Sequence, residues 1–320
     1  MTDETNLKNF AADFISVETA ISKAVIGQKD IIRNVLASVI AGGHALLEGL
    51  PGLGKTHLVK SFGKALDLSF SRVQFTPDLM PADITGTDVY ENGFSFRKGP
   101  VFTNLLLADE INRATPKTQS ALLEAMQEKT VTVGKNTYDL PFPFFTLATQ
   151  NPIELEGVYP LPEAQLDRFF IKLDVTFPSQ DELLEIVNIT SGENPVWPEK
   201  TMDSEKIKAM SLAAASAPMA RAVGEYAMKI VFNTHPDKPS SPETVKKYVR
   251  FGASPRGAQS LVALSKIYAL LDGRFNVAYD DVKKAAPHVL RHRISLNFEA
   301  AAEGVSSDNI IDDIISEITR

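Results

Sequence analysis

The chain has no cysteine among its 320 residues. That excludes disulfides and thiolate metal sites, and it fits a reducing compartment. Histidine is scarce as well, with five residues. His288 and His292 stand at helical i, i+4 spacing, but no third ligand type is in register and Arg291 and Arg293 crowd them. Ordinary surface histidines are therefore expected in place of a metal pair. Long apolar runs are missing too. The most apolar window, 34–50, is broken by Gly42, Gly43, His44 and Glu48, so it reads as helix, turn and strand, with no membrane insertion expected. The opening residues Met1 to Thr5 are acidic and polar and lack the basic-then-apolar order of a signal peptide, so a cytoplasmic location is expected. Basic residues are outnumbered, 33 Lys and Arg against 40 Asp and Glu, for a net charge of -7. Such a balance repels phosphate backbones and anionic lipid, which makes generic nucleic-acid binding an unfavoured class, although a local basic groove stays compatible with it. No internal repeat and no low-complexity run is present.

What is present is Gly49-Leu50-Pro51-Gly52-Leu53-Gly54-Lys55-Thr56, a match to G-x-x-x-x-G-K-[ST]. Three glycines let backbone amides approach polyanionic oxygens with no Cβ in the way, and the loop opens into a helix whose N-terminus favours negative charge. In this motif Lys55 reaches the β and γ phosphates and Thr56 offers its hydroxyl to Mg²⁺. The context agrees, since the apolar strand Ala45-Leu46-Leu47 precedes the loop and a helical stretch, 56–66, follows. ATP or ADP with Mg²⁺ is the expected ligand.

A chain of this length suggests two domains. The first two thirds alternate strand-like and helix-like segments, the pattern of a parallel sheet covered on both faces. Candidate strands are 45–48, 71–75, 105–109, 144–149 and 169–175, several of them unbroken apolar runs suited to positions that see no water. Thr115-Pro116 resembles an N-cap with proline at the first helical position, and Ala121, Leu122, Ala125 and Met126 form a core-facing stripe behind it. Two stretches interrupt the alternation as hairpins. One is 89–96, with Asn92-Gly93 at its turn, and the other is 130–140, which alternates branched and polar residues around Gly134-Lys135-Asn136. Beyond Pro178 strands give way to helical stripes near 203–216, 219–233, 256–271 and 278–287. The expected division is a core at 1–190, a linker at 191–199 and a helical domain at 200–320. The stripe Ile310, Ile311, Ile314, Ile315 marks a short amphipathic helix that packs on its own domain.

Leu105 to Glu110 ends a buried strand with two carboxylates, where ligands of open α/β sheets sit. Beside a phosphate loop, Asp109 is suited to hold Mg²⁺ and Glu110 to orient and polarise the attacking water. Asn151, in Thr149-Gln150-Asn151-Pro152, can fix that water or touch the γ phosphate, and a plain Asn-Pro turn is the alternative. Arg168, in Asp167-Arg168-Phe169, and Arg256, in Ser254-Pro255-Arg256-Gly257, are placed either to stabilise charge on the transferred phosphoryl group or to pair with surface acids.

In this order the pieces resemble an AAA+ ATPase over almost the whole chain. The runs Asp109 to Ala114, Lys117 to Met126 and Gln150-Asn151-Pro152 resemble the MoxR family in particular. The resemblance implies an α/β P-loop NTPase with a three-layer core, a parallel five-stranded sheet and two inserted β-hairpins, followed by a small α-helical lid domain. It implies nucleotide contacts from Val25 and Ile26 beside the adenine and from Gly52, Leu53, Gly54, Lys55, Thr56 and His57. It also implies a homo-hexameric ring in which Lys55, Thr56, Asp109, Glu110 and Asn151 of one subunit meet Arg168 of the next. Whether Arg256 acts on its own nucleotide or its neighbour's differs among relatives, and Arg113 is offered by the motif with a structural role open. The function implied is an ATP-driven, chaperone-like remodeller, with partners bearing von Willebrand factor A domains and a client that these residues do not name. Two rivals stay open: a nucleic-acid or metal-chelatase motor of the same hairpin-bearing group, and an ATP-binding switch without turnover. For the motor, Arg97, Lys98, Lys129 and Lys135 are few and scattered, and Phe94 and Phe96 suit packing as well as base stacking.

Overall fold

A computed structural model describes residues 2–50, 52–90, 94–151, 157–190 and 196–318. The strands in chain order are β1 (Ala45–Glu48), β2 (Phe70–Gln74), β3 (Gly86–Tyr90), β4 (Phe94–Lys98), β5 (Leu105–Asp109), β6 (Thr130–Val133), β7 (Asn136–Asp139), β8 (Phe145–Gln150) and β9 (Ile171–Asp174), with a short antiparallel pair, β10 (Val249–Phe251) and β11 (Ser295–Leu296), among the later helices. Five of them form one parallel sheet ordered β2-β5-β8-β1-β9. Its central members β5 and β8 are buried along almost their whole length, which is why they read as apolar runs. The register sets Glu48 beside Gln150 and Gln74 beside Asp109, so the C-terminal ends of β1, β8, β5 and β2 share one edge. His44, just before β1, is buried and ties two elements together: Thr146 N–H donates to its Nδ1 at 3.0 Å, which leaves Nε2–H to donate to Met126 O at 2.9 Å. Burial pushes its pKa down to about 4.

Each expected strand is found within two or three residues. The largest shift is at β9, which begins at Ile171 and not at Phe169. The carbonyls of Phe169 and Phe170 accept side-chain hydrogen bonds from Arg293, so these two residues are held without a ladder. The helix Pro116–Glu128 starts where expected, with Thr115 at the N-cap position, but the Thr115 hydroxyl does not cap it and lies 3.3 Å from Thr118 Oγ1. A helix that sequence periodicity did not single out, Thr2–Ser22, buries Phe10, Phe14, Val17 and Ile21.

Both hairpins are present, β3 with β4 and β6 with β7, each antiparallel. The Asn92-Gly93 turn lies outside the described residues, as does Pro152 and most of the expected linker. Phe96 stacks on Tyr138 with centroids 4.3 Å apart at 17°, and Phe102 meets both rings edge-on. Phe96 is thus a packing residue between the hairpins.

The chain groups into two compact units, one of residues 12–161 with 173–209 and the other of residues 1–11, 162–172 and 210–320. The second is helical, with Arg221–Phe232, Glu243–Tyr248, Pro255–Leu271, Tyr279–Leu290, Phe298–Glu303 and Ser307–Glu317. Tyr279–Leu290 runs a turn past its expected end although Pro287 has no N–H to donate to Lys283 O, so the helix continues through one gap in its ladder. Ser307–Glu317 buries Ile310, Ile311 and Ile314 within this unit, as its stripe requires. His292 departs from the expected surface position: it is buried, with Nε2 3.1 Å from Phe169 O. Among the described residues no helix is long and apolar enough to cross a membrane.

Candidate functional site

The shared edge of β1, β5 and β8 opens into a cavity of about 470 Å³. On one side Gly52 and Gly54 adopt left-handed backbone, φ 84° and 75°. A Cβ built on either glycine would meet nothing within 4 Å, so the loop presents bare backbone to open space, the shape a phosphate group needs. Gly54 is the N-cap of Lys55–Ala65, which aims unpaired first-turn amides and the positive end of the helix dipole at the same space. Lys55 Nζ donates to Gly49 O at 2.7 Å, which keeps its ammonium over the loop. Desolvation lowers the Lys55 pKa from its ordinary value, and the charges of Asp109, Glu110 and Glu48 oppose that shift.

Across the cavity stand Asp109, Glu110 and the buried Asn151. Thr149 holds both residues, through the carboxylate of one and the backbone of the other: its hydroxyl donates to Asp109 Oδ1 at 2.7 Å and accepts from the Glu110 backbone N–H at 2.8 Å. Glu110 itself has φ 57°, a backbone region rare for a side chain of its size, and costs of order 1 kcal/mol or more to hold there. Such strain at the tip of a buried strand re-aims the carboxylate into the cavity while its N–H stays paired.

Two residues that sequence reasoning missed complete this wall. Arg72 donates to Asp109 Oδ2 from Nη2 at 2.7 Å and from Nε at 3.2 Å, and to Gln74 Oε1 at 2.7 Å. Gln74 Nε2 in turn donates to Glu110 Oε2 at 2.7 Å, an oxygen that also receives Arg113 Nη1 at 3.1 Å. The acid pair is therefore spanned by a continuous Arg72–Gln74 link, and Arg113 braces Glu110. The available signal was two polar residues spaced by two in a strand otherwise expected to be buried.

Gln28 Nε2 donates to Leu53 O at 2.9 Å, which ties the turn holding Val25 and Ile26 to the phosphate loop. His57 borders the cavity as well. Its Nε2 lies 2.9 Å from Ala24 O and its ring 4.7 Å from that of Trp197, so the imidazole joins the Ala24 turn to the tryptophan. Arg168 and Arg256 belong to the other compact unit, where Asp167 lies 3.7 Å from Arg256 Nη1. Ser254 caps the helix that carries Arg256, accepting Arg256 N–H at 3.1 Å, as its Ser-Pro start suggests.

Thr56 with Asp109 suits Mg²⁺, which takes one or two carboxylates and completes its shell with phosphate oxygens and water. Among the described residues no cluster of three or more metal-ligating side chains occurs, and this mode of binding needs none.

Comparison with known proteins bears on the same residues. The family model described as "ATPase family associated with various cellular activities (AAA)" matches residues 44–171, and an AAA lid domain matches 242–314. Chaperone MoxR1 of Mycobacterium tuberculosis is 41% identical over 317 residues, 97% of this chain and 84% of its own. The chain belongs to the MoxR family of AAA+ ATPases. A second relative, the uncharacterised protein YeaC of Bacillus subtilis, is 42% identical over 304 residues, 93% of this chain and 92% of its own. A crystal structure from Cytophaga hutchinsonii, described as a candidate ATPase, superposes with a TM-score of 0.94 at 40% identity, covering 99% of this chain and 98% of that one. MoxR-family membership implies nucleotide binding.

Proposed function

We propose that this chain hydrolyses ATP and uses the cycle to remodel partner proteins in their maturation or activation. The observation that carries the reading is the meeting, in one cavity, of an open glycine loop, Lys55, and the strand-end pair Asp109 and Glu110. Amides of Gly52, Leu53 and Gly54 cradle the phosphates, and Lys55 binds the β and γ groups. Thr56 and Asp109 hold Mg²⁺. When bound, this ion neutralises charge shared between the β and γ oxygens. Glu110 orients and polarises water, Asn151 fixes that water or the γ phosphate, and Val25, Ile26 and His57 border the base. Arg168 stabilises the transferred phosphoryl group from a neighbouring subunit, and Arg256 senses nucleotide from the lid.

The wider reading has a six-membered ring in the cytoplasm, built from a core at 1–190, a linker at 191–199 and a lid at 200–320. The lid match at 242–314 supports the last of these. Partners with von Willebrand factor A domains follow from family resemblance, and a chaperone role is supported by the name of the Mycobacterium relative. Phe96, engaged by Tyr138, favours this reading over a nucleic-acid motor with an aromatic platform.

Steady-state phosphate release separates enzyme from switch. Wild-type protein with Mg²⁺ and ATP should turn over continuously. Absence of turnover in well-folded, assembled protein would leave an ATP-binding switch in its place.

A further inference from the structure

Three consecutive residues, Arg291-His292-Arg293, follow the helix Tyr279–Leu290, and each directs at least one side-chain nitrogen to the segment 167–172, while Arg291 also pairs with Asp308. Arg291 Nη1 donates to Lys172 O at 3.2 Å, and His292 Nε2 lies 3.1 Å from Phe169 O. Arg293 donates to Asp167 O at 3.1 Å, to Phe169 O at 2.6 Å and to Phe170 O at 3.2 Å. Four carbonyls between 167 and 172 are thus pinned by one tripeptide, and Arg168 lies among them.

The anchor of this arrangement is an ion pair. Arg293, with 2% of its side chain exposed, sets Nε 3.0 Å from Asp167 Oδ1. A guanidinium so buried is costly unless its donors are satisfied, and here carbonyls, Asp167 and Ser260 Oγ satisfy them. Desolvation still lowers its pKa to about 10, which leaves it cationic at neutral pH. Room for it is made by Gly257, where a Cβ would stand 3.0 Å from Arg293 Cδ. Asp167 also accepts from Ser254 Oγ at 2.8 Å on both oxygens and faces Arg256 Nη1 at 3.7 Å. The clamp therefore joins the backbone that carries Arg168 to the first turn of the helix that carries Arg256.

The geometry points to Arg293 as the positioning residue for Arg168, with Asp167 as the junction through which Arg168 and Arg256 are set together. Residues 162–172 group with 210–320 in one compact unit, so Arg168 shares a unit with the helix that carries Arg256. This rests on the reading of Arg168 as a phosphoryl-stabilising finger.

The test is Arg293→Lys in the full chain, which keeps the charge and loses the fork. Hydrogen exchange in peptides covering 167–172 should quicken by about tenfold or more as local opening becomes cheaper. Turnover should fall by up to about 10²-fold, the scale of a misplacement near 1 Å, with KM nearly unchanged. In an Arg168→Ala background the same substitution should lower turnover no further, since its effect passes through Arg168. Equal fractional losses in both backgrounds, with exchange unchanged, would overturn the inference. Asp167→Asn, similar in shape but uncharged, is the second variant should Arg293→Lys fail to fold, with the same outcomes deciding. If wild-type protein shows no turnover, it is the ATPase reading that falls, and exchange alone then decides whether Arg293 clamps the segment.

Discussion

Asp109 and Glu110 are adjacent in the chain yet held by different partners, and that difference separates their roles. Asp109 is gripped on both oxygens, by Thr149 and Arg72, as suits a group that must stay put to hold a cation. Glu110 is held through side chains with room to exchange, Gln74 and the 41%-exposed Arg113. Glu110→Gln should therefore keep nucleotide binding within a few-fold while turnover falls by about 10²-fold or more, the scale of lost general-base catalysis. Lys55→Ala should abolish capture itself. Calorimetry with Mg²⁺ and ATP, alongside phosphate release, checks both, and a Glu110→Gln protein that turns over normally would remove Glu110 from the mechanism. His44 offers a prediction of a different kind. Its folded pKa, about 4, is below the ordinary histidine value of 6.5, so the unfolded chain takes up the proton first as pH falls. The stability is fully present above about pH 6.5 and declines towards pH 4, by about 3 kcal/mol from this group. The buried His292, also shifted down by desolvation, adds to the same trend. The gap between urea unfolding midpoints at pH 7 and pH 4.5 should narrow in His44→Gln, which keeps a donor and an acceptor but does not titrate, with His292 accounting for part of what remains. An equally steep fall in that variant would show that His44 is not the group excluding the proton.

Elements were legible where burial writes itself into local sequence. β5 and β8 are buried on both faces, and the phosphate loop and acid pair lie at strand ends that such runs locate. What could not be read is what depends on register or on distant chain. Arg72 reaches Asp109 because β2 pairs with β5 in one register, and a slip of one residue would turn it to the opposite face. Arg293 finds Asp167 across 126 residues, with no local pattern to announce it. The hairpins stand between these cases. Their turns and alternation were visible, but the stack of Phe96 on Tyr138 that joins β4 to β7 was not. That stack makes the two insertions one mechanical element, so a change at one tip should be felt by the other. A double-mutant cycle with Phe96→Ala and Tyr138→Ala should return a coupling of about 1 kcal/mol in unfolding free energy, the usual worth of an aromatic pair beyond its buried area. Additive losses would mean the hairpins move independently.

At the scale of the whole molecule, the residues assigned to one reaction fall in two compact units: Lys55, Asp109, Glu110 and Asn151 in one, Arg168 and Arg256 in the other. In the proposed ring each site borrows Arg168 from the next subunit, so the finger need not share a unit with the phosphate loop it serves. Arg168→Ala should lower turnover by about 10³-fold or more, on the order of 4 kcal/mol of transition-state stabilisation. That loss should appear only where protein is concentrated enough to assemble, since a dispersed chain has no finger to lose. Complementation decides the arrangement. Arg168→Ala subunits keep an intact phosphate loop, and Lys55→Ala subunits keep an intact finger. In an equal mixture about a quarter of heterologous interfaces join the two intact halves, so turnover should recover towards a quarter of wild type although each parent alone is inactive. If Arg168 served its own subunit, each chain in the mixture would carry one defect at its own site, and mixing would restore nothing.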